Sequence, residues 1–333
     1  MKSVRLIDVA KASDTSIKTV SRVINGDLRV SSQTRIKVEE KISELGYQVD
    51  QIARSLRLGV DNVIGVVVQK IGDQFFAEAV EEIEQVAKDR GIGVLVGSTY
   101  GDLNRENQLV HGFRQRKVAG MIITAQDADY SFIKDLNIPI VFFDRAPKNI
   151  SADVVSSDDT YGGYIATQHL IKHGHTRIAI FGDDLKVDTS RKRFNGYLQA
   201  LNEAKIPIDQ NLIFMGLNTV GESEIAFAKL MTSGSKFTAI FSARGEVSIG
   251  LARAMHRMGE LDIAFISFDD FQMAEILNPA ITVLDHSARL IAKTAIDRLF
   301  SKIDNDKLPN QEIIIPLKII PRGSGEILAK AGK

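Results

Sequence analysis

The chain has 333 residues, 44% hydrophobic and 25% charged, with no net charge at neutral pH and no cysteine. That length suffices for two or three domains, and the missing thiols exclude disulfides, thiolate metal sites and a cysteine nucleophile. No run approaches the ~18 apolar residues of a membrane span, and Asp8 interrupts any apolar leader core in Met1 to Ala10, so the expectation is a cytoplasmic protein with no membrane partner.

The neutral total conceals an asymmetry. Residues 1–59 carry eleven lysines and arginines against seven acids, a surplus of four, and the remainder carries the opposite surplus. A basic head on an acidic body points to a polyanionic partner for the head alone.

Three helical patterns fill that head. Leu6 to Ala12 places apolar residues at helical spacing and is followed by the polar turn Ser13 to Ser16. Ser16 suits the N-cap of a second helix, Ile17 to Asn25, with Val20, Val23 and Ile24 on one face and Asn25-Gly26 as its stop. Ser31 or Ser32 caps a third, Gln33 to Leu45, which Gly46 ends. Two short helices across a tight turn, braced by a third, make a helix-turn-helix, whose second helix lies in the major groove of DNA. The side chains so placed are Ile17, Lys18 and Arg22. A guanidinium can chelate guanine through O6 and N7, and an isoleucine can pack on a thymine methyl. Ser16, Thr19, Ser21, Asn25, Ser31 and Thr34 are small polar groups suited to phosphate oxygens. A three-helix bundle without a nucleic-acid role satisfies the same pattern. Beyond it, Asp50 can cap one short helix, Gln51 to Leu58, that Gly59 ends; alone, so short a helix is marginal in water.

The body alternates strands and helices. The β-branched run Val63 to Val68 reads as a strand buried on both faces. A helix, Phe75 to Arg90, and a strand within Gly91 to Val96 follow. Further strands are expected at Gly120–Thr124, Ile138–Phe143, Ala152–Ser157, Arg177–Phe181, Ala239–Phe241 and Ile263–Phe268, with helices at Tyr161–His173 and Arg193–Ala204. Such alternation means parallel sheets. There is too much for one sheet, so two α/β lobes are expected, with a ligand cleft at the carboxyl ends of their strands.

No catalytic set is present. The sequence has no Gly-x-Ser-x-Gly elbow, no His-Glu-x-x-His and no Gly-x-x-x-x-Gly-Lys loop. His169 and His173 stand four apart on a helix and could share a metal; surface and helix-end roles are the plainer reading. No cofactor is expected and no enzymatic activity. A sugar-binding protein for uptake would not need a helix-turn-helix.

The wording of the head is more specific than its pattern. Asp8-Val9-Ala10, Ser16-Ile17-Lys18-Thr19-Val20-Ser21-Arg22-Val23-Ile24-Asn25-Gly26, Val30-Ser31, Thr34-Arg35, Leu45-Gly46-Tyr47 and Ile52-Ala53-Arg54-Ser55-Leu56 resemble the lactose/galactose (LacI/GalR) repressor family. Two positions depart from its usual wording: Asp14 stands where the turn carries Gly, and Val49-Asp50 where the link begins Pro-Asn. In the body the resemblance runs through Asp73-Gln74-Phe75-Phe76, Asp144-Arg145, His169-Leu170-Ile171, Arg193-Phe194-Asn195-Gly196-Tyr197, Phe268-Asp269-Asp270 and Pro279-Ala280-Ile281-Thr282.

The resemblance implies an α/β fold: a two-lobed core like periplasmic binding proteins, with parallel sheets, behind an all-α helix-turn-helix. The implied domains are a DNA-binding head at 1–48, a hinge helix or linker at 49–60 and an effector-binding core at 61–333. The first lobe would hold about 61–160 and 290–320, the second about 161–289 and 321–333. It implies a transcriptional repressor of carbohydrate genes that binds palindromic operator DNA as a homodimer. It adds Leu6, Arg29, Tyr47, Ala53 and Leu56 to the DNA-contacting residues, with Leu56 wedged between base steps in the minor groove. For a sugar or sugar-phosphate effector it implies Phe75 and Phe76 as an aromatic platform, Asp158 facing the cleft, Arg193 opening a helix and bonding ligand oxygens, and Asp269 chelating vicinal hydroxyls. Arg244 stands where the family carries a ligand-binding Asn, and Ser267 where it carries Gly; with Arg193, Arg244 would favour an anionic effector. A phosphoprotein co-repressor is known in one branch of the family. The tail after Arg322 holds only Ile327 and Leu328 as large apolar residues, from which a dimer rather than a tetramer is expected.

Overall fold

The computed structural model describes residues 4–24, 27, 29–45, 47, 62–126 and 128–329. Contacts divide the chain into two units, Met1–Asp61 and Asn62–Lys333.

The first unit holds α1 (Leu6–Ala12), α2 (Ile17–Ile24) and α3 (Ser32–Leu45). Val9, Ala10, Val20, Val23 and Val38 are buried together, with Leu6, Ile24, Ile42 and Tyr47 packed around them. Asp14 lies between α1 and α2 with φ +48°, the left-handed conformation that Asp tolerates better than most side chains. The Thr19 N–H donates to Ser16 Oγ at 3.0 Å and the Thr34 N–H to Ser31 Oγ at 3.3 Å, so both serines cap. Of the two candidate caps for the third helix it is Ser31 that serves; Ser32 is already inside α3. Asn25, Ala53, Leu56 and the expected hinge helix lie outside the described residues.

The second unit is built on two six-stranded sheets. Its strands are β1 (Val63–Val68), β2 (Gly93–Ser98), β3 (Met121–Ile123), β4 (Ile140–Phe143), β5 (Asp153–Ser157), β6 (Ile178–Phe181), β7 (Ile213–Phe214), β8 (Ala239–Ser242), β9 (Ala264–Phe268), β10 (Thr282–Asp285), β11 (Glu312–Ile315) and β12 (Lys318–Ile320). The helices are α4 (Gln74–Asp89), α5 (Leu103–Gln115), α6 (Asp159–Lys172), α7 (Asp188–Glu203), α8 (Val220–Thr232), α9 (Gly245–Met258) and α10 (Ala288–Asp304). The first sheet runs β11-β5-β4-β3-β1-β2 and the second β12-β10-β9-β8-β6-β7. Every pairing is parallel except β10 with β12.

Burial explains the β-branched runs. Ile64, Val66 and Val68 of β1 enter the core shared with α4 and α10, while Val67 points to the core under α5. Alternate residues of one strand thus feed opposite layers. The second sheet does the same, with Phe265 facing α8 and α9 and Ala264, Ile266 and Phe268 facing α6 and α7. The chain passes between lobes three times, from β5 to α6, from β10 to α10 and from β11 to β12. The second lobe therefore reclaims the chain between Ile315 and Lys318, ahead of the expected boundary at 320, because β12 hydrogen-bonds to β10.

Helices α6 and α7 approach unusually closely. A Cβ on Gly163 would fall on the backbone of Arg193, and one on Gly196 on that of Thr160. Glycine is required at that crossing by contact, not by conformation. The approach sets Asp159, at the first turn of α6, beside Arg193 in the second turn of α7. Among the described residues no helix is long and apolar enough to cross a membrane.

Candidate functional site

In the head, α2 buries Val20 and Val23 and turns the opposite face outward. Ile17 is 47% exposed, and Ser16, Lys18 and Arg22 are exposed with it. Thr19 and Ser21 are half-buried beside them. Ser16 and Ser31 are engaged in capping, which places each hydroxyl at the amide-rich start of a helix, a geometry suited to phosphate. Thr34 Oγ1 hydrogen-bonds Ser31 Oγ at 2.8 Å. Asp27 gathers two of the cations: Arg29 Nη2 lies 2.8 Å from its carboxylate and Arg22 Nε 3.7 Å. The bonds from Arg29 hold the Asp27 carboxyl well below the usual range. Leu6 and Tyr47 are half-buried against the apolar centre of the head.

In the body, the carboxyl ends of the parallel strands converge on one cleft between the lobes. Gln69, Asp73, Phe75, Phe76, Asp144 and Arg145 come from the first lobe, and Asp183, Thr189, Arg193, Arg244, Asp269 and His286 complete the lining. Asp269 follows β9 with φ +74°. Its Oδ2 accepts from the Gly245 N–H at 2.9 Å, and its Oδ1 lies 2.8 Å from His286 Nε2. Burial opposes its ionisation, but His286, Arg193 and the Gly245 amide outweigh burial and keep the carboxyl below the ordinary range. The imidazole answers in kind: burial disfavours its charge, yet Asp269 holds the His286 pKa above the usual value.

Arg193 is 6% exposed. Its Nε donates to Asp159 Oδ1 at 2.8 Å, its Nη1 to the Ala243 carbonyl at 2.9 Å, and its guanidinium lies 3.5 Å over the Phe268 ring. Asp144 and Arg145 pair at 3.3 Å, and Arg145 Nη2 donates to Gln69 Oε1 at 3.0 Å. Arg244 stands among three carboxylates: Glu246 at 3.2 Å, Asp73 at 3.5 Å and Asp183 at 3.5 Å.

Several expectations change. Asp158 is exposed and accepts from the Tyr161 N–H at 2.9 Å, so it caps α6; its neighbour Asp159, 2% exposed, is the acid that turns inward. Arg193 does not open its helix, which begins at Asp188. Phe76 is 4% exposed within the core of the first lobe, whereas Phe75 stacks on His286 with ring centres 4.5 Å apart and offers the face nearer the cleft. Asp73, Asp144, Asp159, Asp183 and His286 were not singled out from the sequence as effector residues. A carboxylate at the end of a buried strand was the available signal for Asp144 and Asp183.

Arg193 and Arg244 are each matched to carboxylates. The acids are the under-compensated partners: burial raises the pKa of Asp73, with repulsion from Asp269 adding to it, and burial raises that of Asp144 against the pull of Arg145. Of the histidines considered as a metal pair, His169 bonds Glu326 at 2.6 Å and His173 Nδ1 bonds the His169 carbonyl at 2.8 Å. Among the described residues no group of three or more His, Asp or Glu could hold a metal ion.

Comparison with known proteins covers both units. Residues 5–50 match the family model for bacterial regulatory proteins, lacI family, and residues 61–322 the one for periplasmic binding proteins and sugar binding domain of LacI family. The ribose operon repressor of Escherichia coli (strain K12) is 30% identical over 330 residues, covering 95% of this chain and 98% of that protein. The HTH-type transcriptional regulator GalR of the same organism is 28% identical over 323 residues, covering 95% and 94%. A crystal structure of the lac repressor dimer bound to operator and the anti-inducer ONPF superposes with a TM-score of 0.86 at 25% identity, over 98% of this chain and 100% of that one. Differently named relatives thus stand at nearly equal identity, so identity does not choose an effector.

Proposed function

This chain belongs to the LacI family of bacterial regulatory proteins, and on that premise we propose that it is a repressor of carbohydrate genes governed by a neutral, polyhydroxylated effector. The head reads palindromic operator DNA, with Ile17, Lys18 and Arg22 directed to base edges and Ser16, Thr19, Ser21, Ser31 and Thr34 to phosphates. A homodimer presents two heads, one per half-site.

The observation that carries the effector class is the pairing of every guanidinium in the cleft with a carboxylate. A phosphate would meet acids there and no free cation. A neutral sugar needs donors and acceptors for its hydroxyls, for which Asp144, Arg193 and Asp269 line the cleft, and an aromatic face, which Phe75 provides. The effector acts because it binds one arrangement of the lobes better than another. A phosphoprotein co-repressor is not needed by this reading.

Thermal unfolding of the full chain against neutral monosaccharides, sugar acids and sugar phosphates tests the class. A neutral sugar at ~100 times its Kd is expected to add about 2.7 kcal/mol of stability, seen as a raised Tm. Stabilisation by sugar phosphates alone would overturn it.

A further inference from the structure

The seat between the lobes is already full. Its free volume is about 30 Å³, room for about one or two waters and far short of a sugar ring. Cavities of about 460 Å³ and 430 Å³ open on either side of it, so the constriction is local. Arg244 produces it. Its guanidinium reaches from the end of β8 in the second lobe to Asp73, the N-cap of α4 in the first, while Asp183 and Glu246 hold it from its own lobe. A second bridge joins the lobes beside it, Lys70 Nζ to Glu246 Oε1 at 2.8 Å. Glu246 therefore ties the two bridges into one network. Further along, the Gln272 N–H donates to Gln74 Oε1 at 3.2 Å.

We propose that Arg244 is a built-in occupant of the effector seat, a clasp that holds the lobes closed without effector and that any effector must displace. The Arg244 side chain is 14% exposed and those of its three partners between 7% and 18%. Ion pairs so withdrawn from water are screened less by salt than surface pairs. Taking away Arg244 leaves its three carboxylates buried and unmatched, and the lobes open to rehydrate them; taking away the Asp73 charge releases Arg244 from the first lobe while Asp183 and Glu246 still hold it in the second. The site is thereby selective in a second way: a ligand too small to replace the contacts of Arg244 with both lobes cannot hold the closed form. This inference refines the effector site proposed above, but its test uses neither effector nor DNA, so the two stand or fall separately.

The chain has no cysteine, so Asn104→Cys in the first lobe and Lys186→Cys in the second, both exposed positions, accept spin labels or dyes, and mixing the labelled chain with an excess of unlabelled chain leaves one labelled pair per dimer. In the full, ligand-free chain the inter-label distance is expected to be short and single. Arg244→Ala is expected to shift it to longer separations. Asp73→Asn retains a side chain able to cap α4 but removes the first-lobe charge, and the same shift is expected; this variant decides the matter if Arg244→Ala does not fold. Arg253→Ala breaks a pair with Glu224 inside the second lobe and is expected to change nothing. Unchanged distances in Asp73→Asn and in folded Arg244→Ala, or an equal shift in Arg253→Ala, would overturn the clasp.

Discussion

Arg193→Ala is expected to unfold at a markedly lower urea concentration than the native chain and to lose the melting shift given by the stabilising sugar. The side chain does three jobs from one buried position. It neutralises Asp159 at 2.8 Å, ties α7 to the end of β8 through the Ala243 carbonyl and stacks on Phe268. Truncation leaves Asp159 at 2% exposure without the guanidinium that bonds it, and breaking a buried pair from one side costs about 3–5 kcal/mol. Arg193→Lys returns a charge but not the planar fork or the stacking face, so it is expected to recover part of the stability and little of the sugar response. A truncated variant as stable as the native chain would show that Asp159 finds water in the cleft and that the guanidinium is not structural.

The second large effect belongs to the head. Arg22→Ala is expected to weaken operator binding by about 1–3 kcal/mol per half-site, the worth of a bidentate guanine contact, and to relax sequence preference at one symmetric position of the site. Arg22 projects from the exposed face of α2 while Val20 and Val23 of the same helix stay buried, so folding of the head is expected to be unaltered. Lys18→Ala serves as the comparison. If that lysine meets phosphate, its loss weakens all duplexes nearly equally and reduces the salt slope by about one. Competition binding with single-base variants of the operator separates the two. Equal weakening of every duplex by Arg22→Ala would reassign that arginine to the DNA backbone.

Legibility from sequence followed the range of the interactions. The helices of the head, the cap at Ser16 and the turn at Asp14 depend on neighbours within a few residues, and their side chains announce them. The buried strands announce themselves too, because β1 and β9 are covered on both faces and need no polar alternation. The carboxylates of the cleft are different. Asp158 and Asp159 are adjacent and identical in type; which one turns inward is decided by the crossing of α6 on α7 at Gly163 and Gly196, a tertiary fact. Phe75 and Phe76 were ambiguous for the same reason, since a one-residue step on a helix exchanges core for cleft. Arg244 could be flagged as unusual, but its meaning lay in Asp73 and Asp183, which only the folded lobes bring beside it. The passage from β11 to β12 was hidden by its brevity, two residues serving to change sheets.

The most direct test of the account is selection of bound sequences from random duplex DNA by the full chain, at two salt concentrations, with and without the stabilising sugar. The account predicts one enriched palindrome, affinity that falls steeply as salt rises, and enrichment that differs between the sugar-free and sugar-bound chain. Uniform retention of all duplexes under every condition would contradict it, leaving a sugar-binding body behind a head that does not read DNA.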